Sequence, residues 1–276
     1  MEKYHGSCLF FMSKISKVHL EKNPKMGLTN LKKEYIVFLS NKYENKEIKL
    51  EKEYMITMDA IFIREQIPLY IEAAKITLQM ALLGVIFAAI TGFLCSMIRY
   101  FKIPVLSQIV ECYIELSRNT PLLIQLFFLY FGLPKIGIVL SSEQCAVAGL
   151  TFLGGSYMAE AFRSGLDNVA PIQIESAFSL GMNRAQVFAN IILPQAVSNS
   201  IPAFCANTIF LIKETSVFSA VALADLMFVT KDLIGIYYKT DEALLMLVLA
   251  YLIILLPISL LCSFVERRIR YAEYGD

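Results

Sequence analysis

Three small groups of polar residues interrupt long apolar stretches, and each could handle a charged solute. Glu115 and Arg118 are one helical turn apart, and Glu160 and Arg163 repeat that spacing, so each pair can meet on one helix face. The third group follows an apolar run and consists of Lys213, Glu214, Thr215 and Ser216. As functional groups, Lys213 would meet a carboxylate, and Glu160 or Glu214 an ammonium or guanidinium group. The alternative is that these residues form structural or interfacial ion pairs.

Enzymatic chemistry finds little support in the sequence. The two histidines, His5 and His19, both lie near the N-terminus, which leaves the body of the chain without a His-based triad or metal site. The six cysteines are scattered with no C-x-x-C pair, unlike a zinc site or a disulfide framework. A phosphate-binding G-x-x-x-x-G-K-S/T loop is also missing. We therefore expect no catalytic residue, no metal and no cofactor on this chain.

The composition is that of a membrane protein. Of 276 residues, 57% are hydrophobic and 18% charged, against about a quarter charged in soluble domains. The net charge of +1 gives no basic field for nucleic acid. Because lipid leaves backbone groups no outside partners, spans of about 20 apolar residues must be helices. The five predicted spans are 74–98, 107–131, 144–162, 192–213 and 242–264. A soluble helical core is the alternative, but it would need far more polar covering surface.

The N-terminal part differs from the remainder. Residues 1–53 contain eleven lysines and only short apolar runs. We interpret residues 1–70 as a polar, lysine-rich tail and residues 71–270 as a transmembrane domain. A further hypothesis is that translation starts at Met55 or Met58, just ahead of the first span, which would make the tail a start-site extension.

Positive charges in the loops predict the orientation. Arg99 and Lys102 lie in the first loop, Arg163 and Arg184 in the third, and three arginines follow the last span. The positive-inside rule then makes these segments cytoplasmic. With five spans, the C-terminus would be cytoplasmic and the N-terminus outside.

The third loop, residues 171–194, has the pattern of two helices with a break. Pro171 suits the first turn of a helix, Gly181 suits a left-handed position that ends it, and Asn183 suits the cap of the next helix. Pro194 is expected to bend the chain where it re-enters the membrane. Ile174, Ala177 and Phe178 share one helix face, which on an exposed loop would need a partner. An amphipathic helix lying on lipid is the alternative.

The pattern Glu-x-Ala-x3-Gly-x9-Ile-x-Leu-Pro in this loop resembles the "EAA" loop of permease subunits of ATP-binding-cassette importers. The matching residues are Glu175, Ala177, Gly181, Ile191, Leu193 and Pro194, with Gln173 upstream. Ser176 stands where the family usually has Ala, and Ile172 where it often has Gly. In that family the loop is a cytoplasmic coupling helix that docks on the ATPase subunit, so the resemblance assigns these seven positions to ATPase coupling.

Three other stretches narrow the resemblance to the polar amino-acid permeases of the histidine, glutamine and arginine type. They are 115–134, 157–165 and 213–216, within a similarity that covers about residues 70–270. The resemblance implies an all-α, MetI-like permease fold in the bacterial plasma membrane. It also implies partners: ATPase subunits that use ATP and Mg²⁺, a second permease that is identical or different, and an extracytoplasmic substrate-binding protein.

Other functions stay open at this stage. The chain could serve an importer of another small solute, or it could be a secondary transporter. The latter predicts inverted repeats with discontinuous helices, and no pairing of sequence halves is visible.

Overall fold

The structure, a computed structural model, describes residues 58–274 and the side chains of residues 58–269. The expected all-α architecture is confirmed for this part of the chain. Nine α-helices follow one another in it: α1 (Ala60–Tyr100), α2 (Leu106–Arg118), α3 (Leu122–Phe127), α4 (Ser142–Asp167), α5 (Pro171–Ser179), α6 (Arg184–Val187), α7 (Leu193–Glu214), α8 (Leu226–Tyr237) and α9 (Thr240–Tyr274). The predicted tail up to residue 57 lies outside the described residues.

Helix α1 is much longer than the predicted span 74–98. Its 41 residues extend about 60 Å, twice the hydrocarbon thickness of a bilayer. The side chain of Asp59 caps it by accepting a hydrogen bond of 3.1 Å from the backbone N–H of Phe62. The ordered helical unit thus begins ahead of the boundary we expected at residue 71.

Helix α4 is the central element and packs between α1 and α7. Small residues allow the close approach: a Cβ added at Gly154 would lie 2.7 Å from Ala88 on α1 and 2.7 Å from Leu211 on α7. Helices in membranes commonly pack through such small residues. Helix α4 extends beyond the span expected over 144–162 at both ends, and its apolar side chains, such as Leu150 and Met158, are buried against the neighbouring helices.

The predicted single span over 107–131 is wrong in its continuity. The chain breaks between α2 and α3 at Pro121, which has no N–H to continue the helix. Side chains add hydrogen bonds to carbonyls in the last turn of α2: Asn119 Nδ2 donates to Glu115 O over 2.8 Å, and Gln125 Nε2 donates to Ser117 O over 3.1 Å. The segment is a discontinuous helix that closes its own polar backbone.

Two π-helical turns each end two residues before a proline. Phe128–Gly132 precedes Pro134, and Phe188–Ile192 precedes Pro194. A proline ring clashes with the carbonyl four residues earlier, and a wider turn relieves that crowding. The expected bend at Pro194 thus takes the form of a π turn directly ahead of α7.

By length and composition, three helical stretches among the described residues can cross a membrane: Ala60–Tyr100, Arg184–Val221 and Thr240–Ile269. The last is the most exposed and presents apolar side chains such as Leu252, Ile253 and Leu260 outward. Its inner face packs with α1 and α8 in a cluster around Tyr70, whose hydroxyl donates to Ala243 O over 2.9 Å.

Candidate functional site

The 171–194 loop has the local geometry predicted for it. Pro171 lies in the first turn of α5, and Gly181 has a φ of +85°. The N–H of Gly181 donates to Phe178 O over 2.9 Å, which ends the helix. Asn183 and Gln186 form a reciprocal capping box with two hydrogen bonds of 2.9 Å. These caps hold α5 and α6 in a fixed helix–turn–helix arrangement.

The two faces of α5 differ from our expectation. Ala177 and Ile174 pack inward, against a cluster that contains Leu166, Val187 and Ala196. They already have partners within the chain, so the expectation that this face needs an external partner is wrong for them. Phe178, the third member of the predicted face, is 45% exposed.

The outward surface of the loop is apolar and grooved. Leu180 is 83% exposed and Ile172 66%. Between α5 and the start of α7 lies an open groove of about 300 Å³. Its lining includes Ile172, Gln173, Ser176, Leu180, Ile191 and Gln195. Of the other predicted coupling positions, Glu175, Gly181 and Pro194 are exposed and Leu193 is half-buried.

Glu160 on α4 is the hub of an ion-pair cluster. Its Oε1 accepts a hydrogen bond of 2.5 Å from Arg99 at the end of α1. Its Oε2 accepts two from Arg163, at 2.8 and 3.1 Å. Arg163 also donates to Asp167 over 3.0 Å, and Arg99 lies 3.6 Å from Glu111. The predicted Glu160–Arg163 pair therefore exists, within a larger network that joins α1, α2 and α4.

The predicted Glu115–Arg118 pair is wrong. Arg118 instead lies 4.0 Å from Oε2 of Glu160, with its guanidinium carbon 5.3 Å from the ring centroid of Tyr157. Within the described residues, Glu115 has no ion-pair partner. Tertiary attraction to the cluster around Glu160 outweighs the local i, i+3 pairing, which is worth only a few tenths of a kcal/mol.

The four polar residues at positions 213–216, two that end α7 and two that follow it, do not share one environment. Lys213 is exposed and Glu214 half-buried, since neighbouring helix positions are about 100° apart. Thr215 is buried and donates to Ile212 O over 2.7 Å. Ser216 is half-buried.

Sequence reasoning missed several members of the cluster around Glu160. Arg99 entered only as a loop charge, because its partner is 61 positions away and no spacing rule connects them. The ring of Tyr157 lies against the guanidinium group of Arg118 and packs on the ring of Phe210 on α7. The backbone carbonyl of Tyr157 accepts a hydrogen bond of 3.1 Å from Nδ2 of Asn207, also on α7. Only Asp167, four positions after Arg163, could have been found from helical periodicity.

Comparison with known proteins finds similar membrane transport proteins. Residues 82–271 match the family described as the binding-protein-dependent transport system inner membrane component. The chain is 36% identical over 216 residues to the probable amino-acid permease protein YxeN of Bacillus subtilis (strain 168), covering 77% of this chain and 96% of that protein.

Two solved structures are also similar. A crystal structure of an amino acid ABC transporter with histidines superposes with a TM-score of 0.73 at 31% identity, covering 77% of this chain and all of the other. An inward-facing structure of the MetNI methionine ABC transporter has a TM-score of 0.62 at 19% identity, covering 74% of this chain and 98% of the other. The latter supports the MetI-like fold alone.

Proposed function

Because the chain belongs to the family of inner-membrane components of binding-protein-dependent transport systems, we propose that it translocates a polar amino acid, driven by ATP hydrolysis in a partner subunit. The observation that carries the proposal is the 36% identity to a probable amino-acid permease, in an alignment that covers 96% of that permease and 77% of this chain. The similar transporter crystallised with histidines points to the same solute class. This favours an amino acid over another small solute, and an importer over a secondary transporter.

The partner ATPase would dock on the outward surface of the 171–194 loop. Exposed Leu180, Ile172 and Phe178 offer it apolar contacts, and the groove beside them can receive a side chain of the partner. The capping box at Asn183 makes the loop rigid, and Ala177 anchors it to the body of the subunit. A rigid loop anchored at α4 and α7 would transmit movement of the ATPase to the helices that line the path.

The path would run beside the charged cluster around Glu160 and the C-terminal end of α7. We place Glu214 and Ser216 on its wall because half-buried polar groups are costly against lipid. Thr215, which we also expected on the path, is buried and donates its hydroxyl to Ile212 O. Lys213, which points to a different environment, would face a second permease. Glu214→Gln is expected to impair uptake of cationic amino acids most, because its carboxylate would balance their extra charge.

By the positive-inside rule, the 171–194 loop and the C-terminus would be cytoplasmic, and the N-terminus would be outside. An extracytoplasmic binding protein would then deliver the solute to a pair of permeases. The hypothesis of a start at Met55 or Met58 stays a prediction. Intact-mass measurement of the native protein tests it, and a mass matching all 276 residues would contradict it.

The test is reconstitution in proteoliposomes with the ATPase subunit and the binding protein of the same transport system. We expect uptake of L-histidine, L-glutamine, L-arginine or L-cystine that requires ATP and all subunits. Uptake by this chain alone, or ATP-driven uptake of none of these amino acids but of another solute, would overturn the proposal.

A further inference from the structure

The three arginines around Glu160 are not equally satisfied. Both carboxylate oxygens of Glu160 are already occupied, one by Arg99 and the other by the fork of Arg163. Arg99 has Glu111 as a second carboxylate neighbour, and Arg163 has Asp167. Arg118 has only Glu160, at 4.0 Å, which exceeds hydrogen-bond distance. The cluster therefore has an arginine whose donors are not used by a carboxylate of the described chain.

Arg118 is nevertheless held in place. The face of Tyr157 lies against its guanidinium group, an arrangement that attracts a cation and leaves its N–H edge free. The ring of Tyr157 packs on the ring of Phe210, and its backbone carbonyl is tied to α7 by a hydrogen bond from Asn207. The side chain of Arg118 is 44% exposed, so a solute can reach it.

From this geometry we infer that Arg118 binds the carboxylate of the transported amino acid, and that Glu160 and Tyr157 position it. A guanidinium fork matches a carboxylate with two parallel hydrogen bonds. Glu160, neutralised by Arg99 and Arg163, serves as the support of that fork and not as a partner for an ammonium group. The inference rests on the proposed function, because it takes an amino acid as the solute.

Arg118 thus takes the carboxylate-binding role that the sequence suggested for Lys213. Lys213, which we expected from the sequence to bind the carboxylate, is exposed in the last turn of α7. Arg118 ends α2 at the break before α3, where backbone groups are already satisfied by side chains. A preorganised arginine at such a break loses less side-chain freedom on binding than a free lysine would.

The experiment is ligand-induced thermal stabilisation of the purified transporter complex in detergent, without binding protein. The probes are L-histidine, L-glutamine and L-arginine, each beside its amide, in which the carboxylate is replaced by an uncharged group. We expect at least one amino acid to stabilise the wild type and its amide to bind about ten- to a hundredfold more weakly. Arg118→Gln should lose that difference, and Arg118→Lys should keep part of it.

Arg268→Gln is the matched control, because it removes an exposed arginine near the C-terminal end of α9; it should behave as wild type. The melting temperature without ligand reports whether the Arg118 variants fold. If the melting temperature of Arg118→Gln falls, Arg118→Lys decides: a preference for the acid that is smaller than in the wild type supports the inference, and an undiminished preference overturns it. Stabilisation by no amino acid, or equally by acid and amide in the wild type, also overturns it. Failure of the proposed function would show separately, as absence of ATP-driven uptake in the reconstituted wild type.

Discussion

The backbone N–H of Asp59 donates a hydrogen bond of 3.2 Å to Oε1 of Glu242, 183 positions later in the chain. Lys239 lies 3.4 Å from Oδ2 of Asp59 and 4.0 Å from Oε1 of Glu242. Glu242 is only 7% exposed, so the contact is partly shielded from solvent. It joins the beginnings of α1 and α9, the first and last helices of the described unit.

Removal of this contact should destabilise the packing of α1 on α9. Glu242→Ala leaves the N–H of Asp59 without its acceptor, and we expect a loss of about 1–3 kcal/mol in the free energy of unfolding. Glu242→Gln keeps an acceptor oxygen and should lose less. Urea unfolding in detergent measures the difference. Asp241→Ala, a change at the exposed neighbour, is the control, and an equal loss there would contradict the role of Glu242.

The same contact predicts a pH dependence. The N–H of Phe62, and then Lys239, hold the pKa of Asp59 below its usual value of 3.8. A lowered carboxyl pKa contributes stability above the unfolded pKa and loses it as the pH falls through the folded value. We expect the stability difference between wild type and Asp59→Asn to shrink only below about pH 4. A difference unchanged down to pH 2 would contradict this.

Gly181 and Gly137 give a matched test of the coupling loop. Both have left-handed φ values, +85° and +87°, and a Cβ would meet nothing within 4 Å at either position. A side chain therefore costs about 1 kcal/mol of backbone strain at both. We expect Gly181→Asp to abolish ATPase docking and substrate-stimulated hydrolysis, because it adds charge to an apolar docking surface, while Gly137→Asp keeps both. Co-purification of the ATPase with each variant measures docking, and retention at Gly181→Asp would count against the loop.

Gly154 tests the packing of the central helix. Since its Cβ would press on Ala88 and Leu211, Gly154→Ala should destabilise the subunit by about 1–3 kcal/mol. Gly235 on α8 has open space around it, and there Ala should be neutral or stabilise by up to about 1 kcal/mol. Unfolding in detergent compares the two variants. If Gly154→Ala were as stable as Gly235→Ala, the close contact of Gly154 with Ala88 and Leu211 would be contradicted.

Local backbone chemistry was predictable from the sequence. Pro171, Gly181 and Asn183 each occupy the position expected from residue type, because a fixed φ, a missing Cβ and a side-chain acceptor act within one turn. A bend at Pro121 was predicted, but not a complete break of the helix, because the apolar residues on both sides continue the count of a single span over 107–131. A proline that follows polar residues therefore indicates a helix break, even where the apolar composition continues on both sides.

The charged cluster could not be predicted in the same way. Spacing alone favours the pair Glu115–Arg118, yet Tyr157 and Glu160 hold Arg118 instead. Arg99 and Glu160 meet only because α1 and α4 pack along each other. Such contacts depend on helix packing, which the periodicity of one helix does not contain.

Asp225 gives a final prediction, because its carboxylate is fully buried outside the membrane-spanning helices. Oδ1 caps α8 by accepting a hydrogen bond of 3.0 Å from the N–H of Phe228, whereas Oδ2 is buried with no hydrogen-bond partner among the described residues. Burial raises the pKa of Asp225 to about 6, against the opposing effect of the N–H of Phe228 and the attraction of Lys231.

A raised carboxyl pKa contributes stability below the unfolded value of about 3.8 and loses it as the pH rises through about 6. We therefore expect Asp225 to lower the free energy of unfolding by on the order of 2–3 kcal/mol between pH 4 and pH 7. Asp225→Asn keeps the capping oxygen without the charge, so it should gain stability relative to wild type as the pH rises. Asp232→Asn, at an exposed position of the same helix, should follow wild type. Unfolding curves at pH 4 to 8 measure the effect, and parallel pH profiles for wild type and Asp225→Asn would show that Asp225 does not titrate in this range.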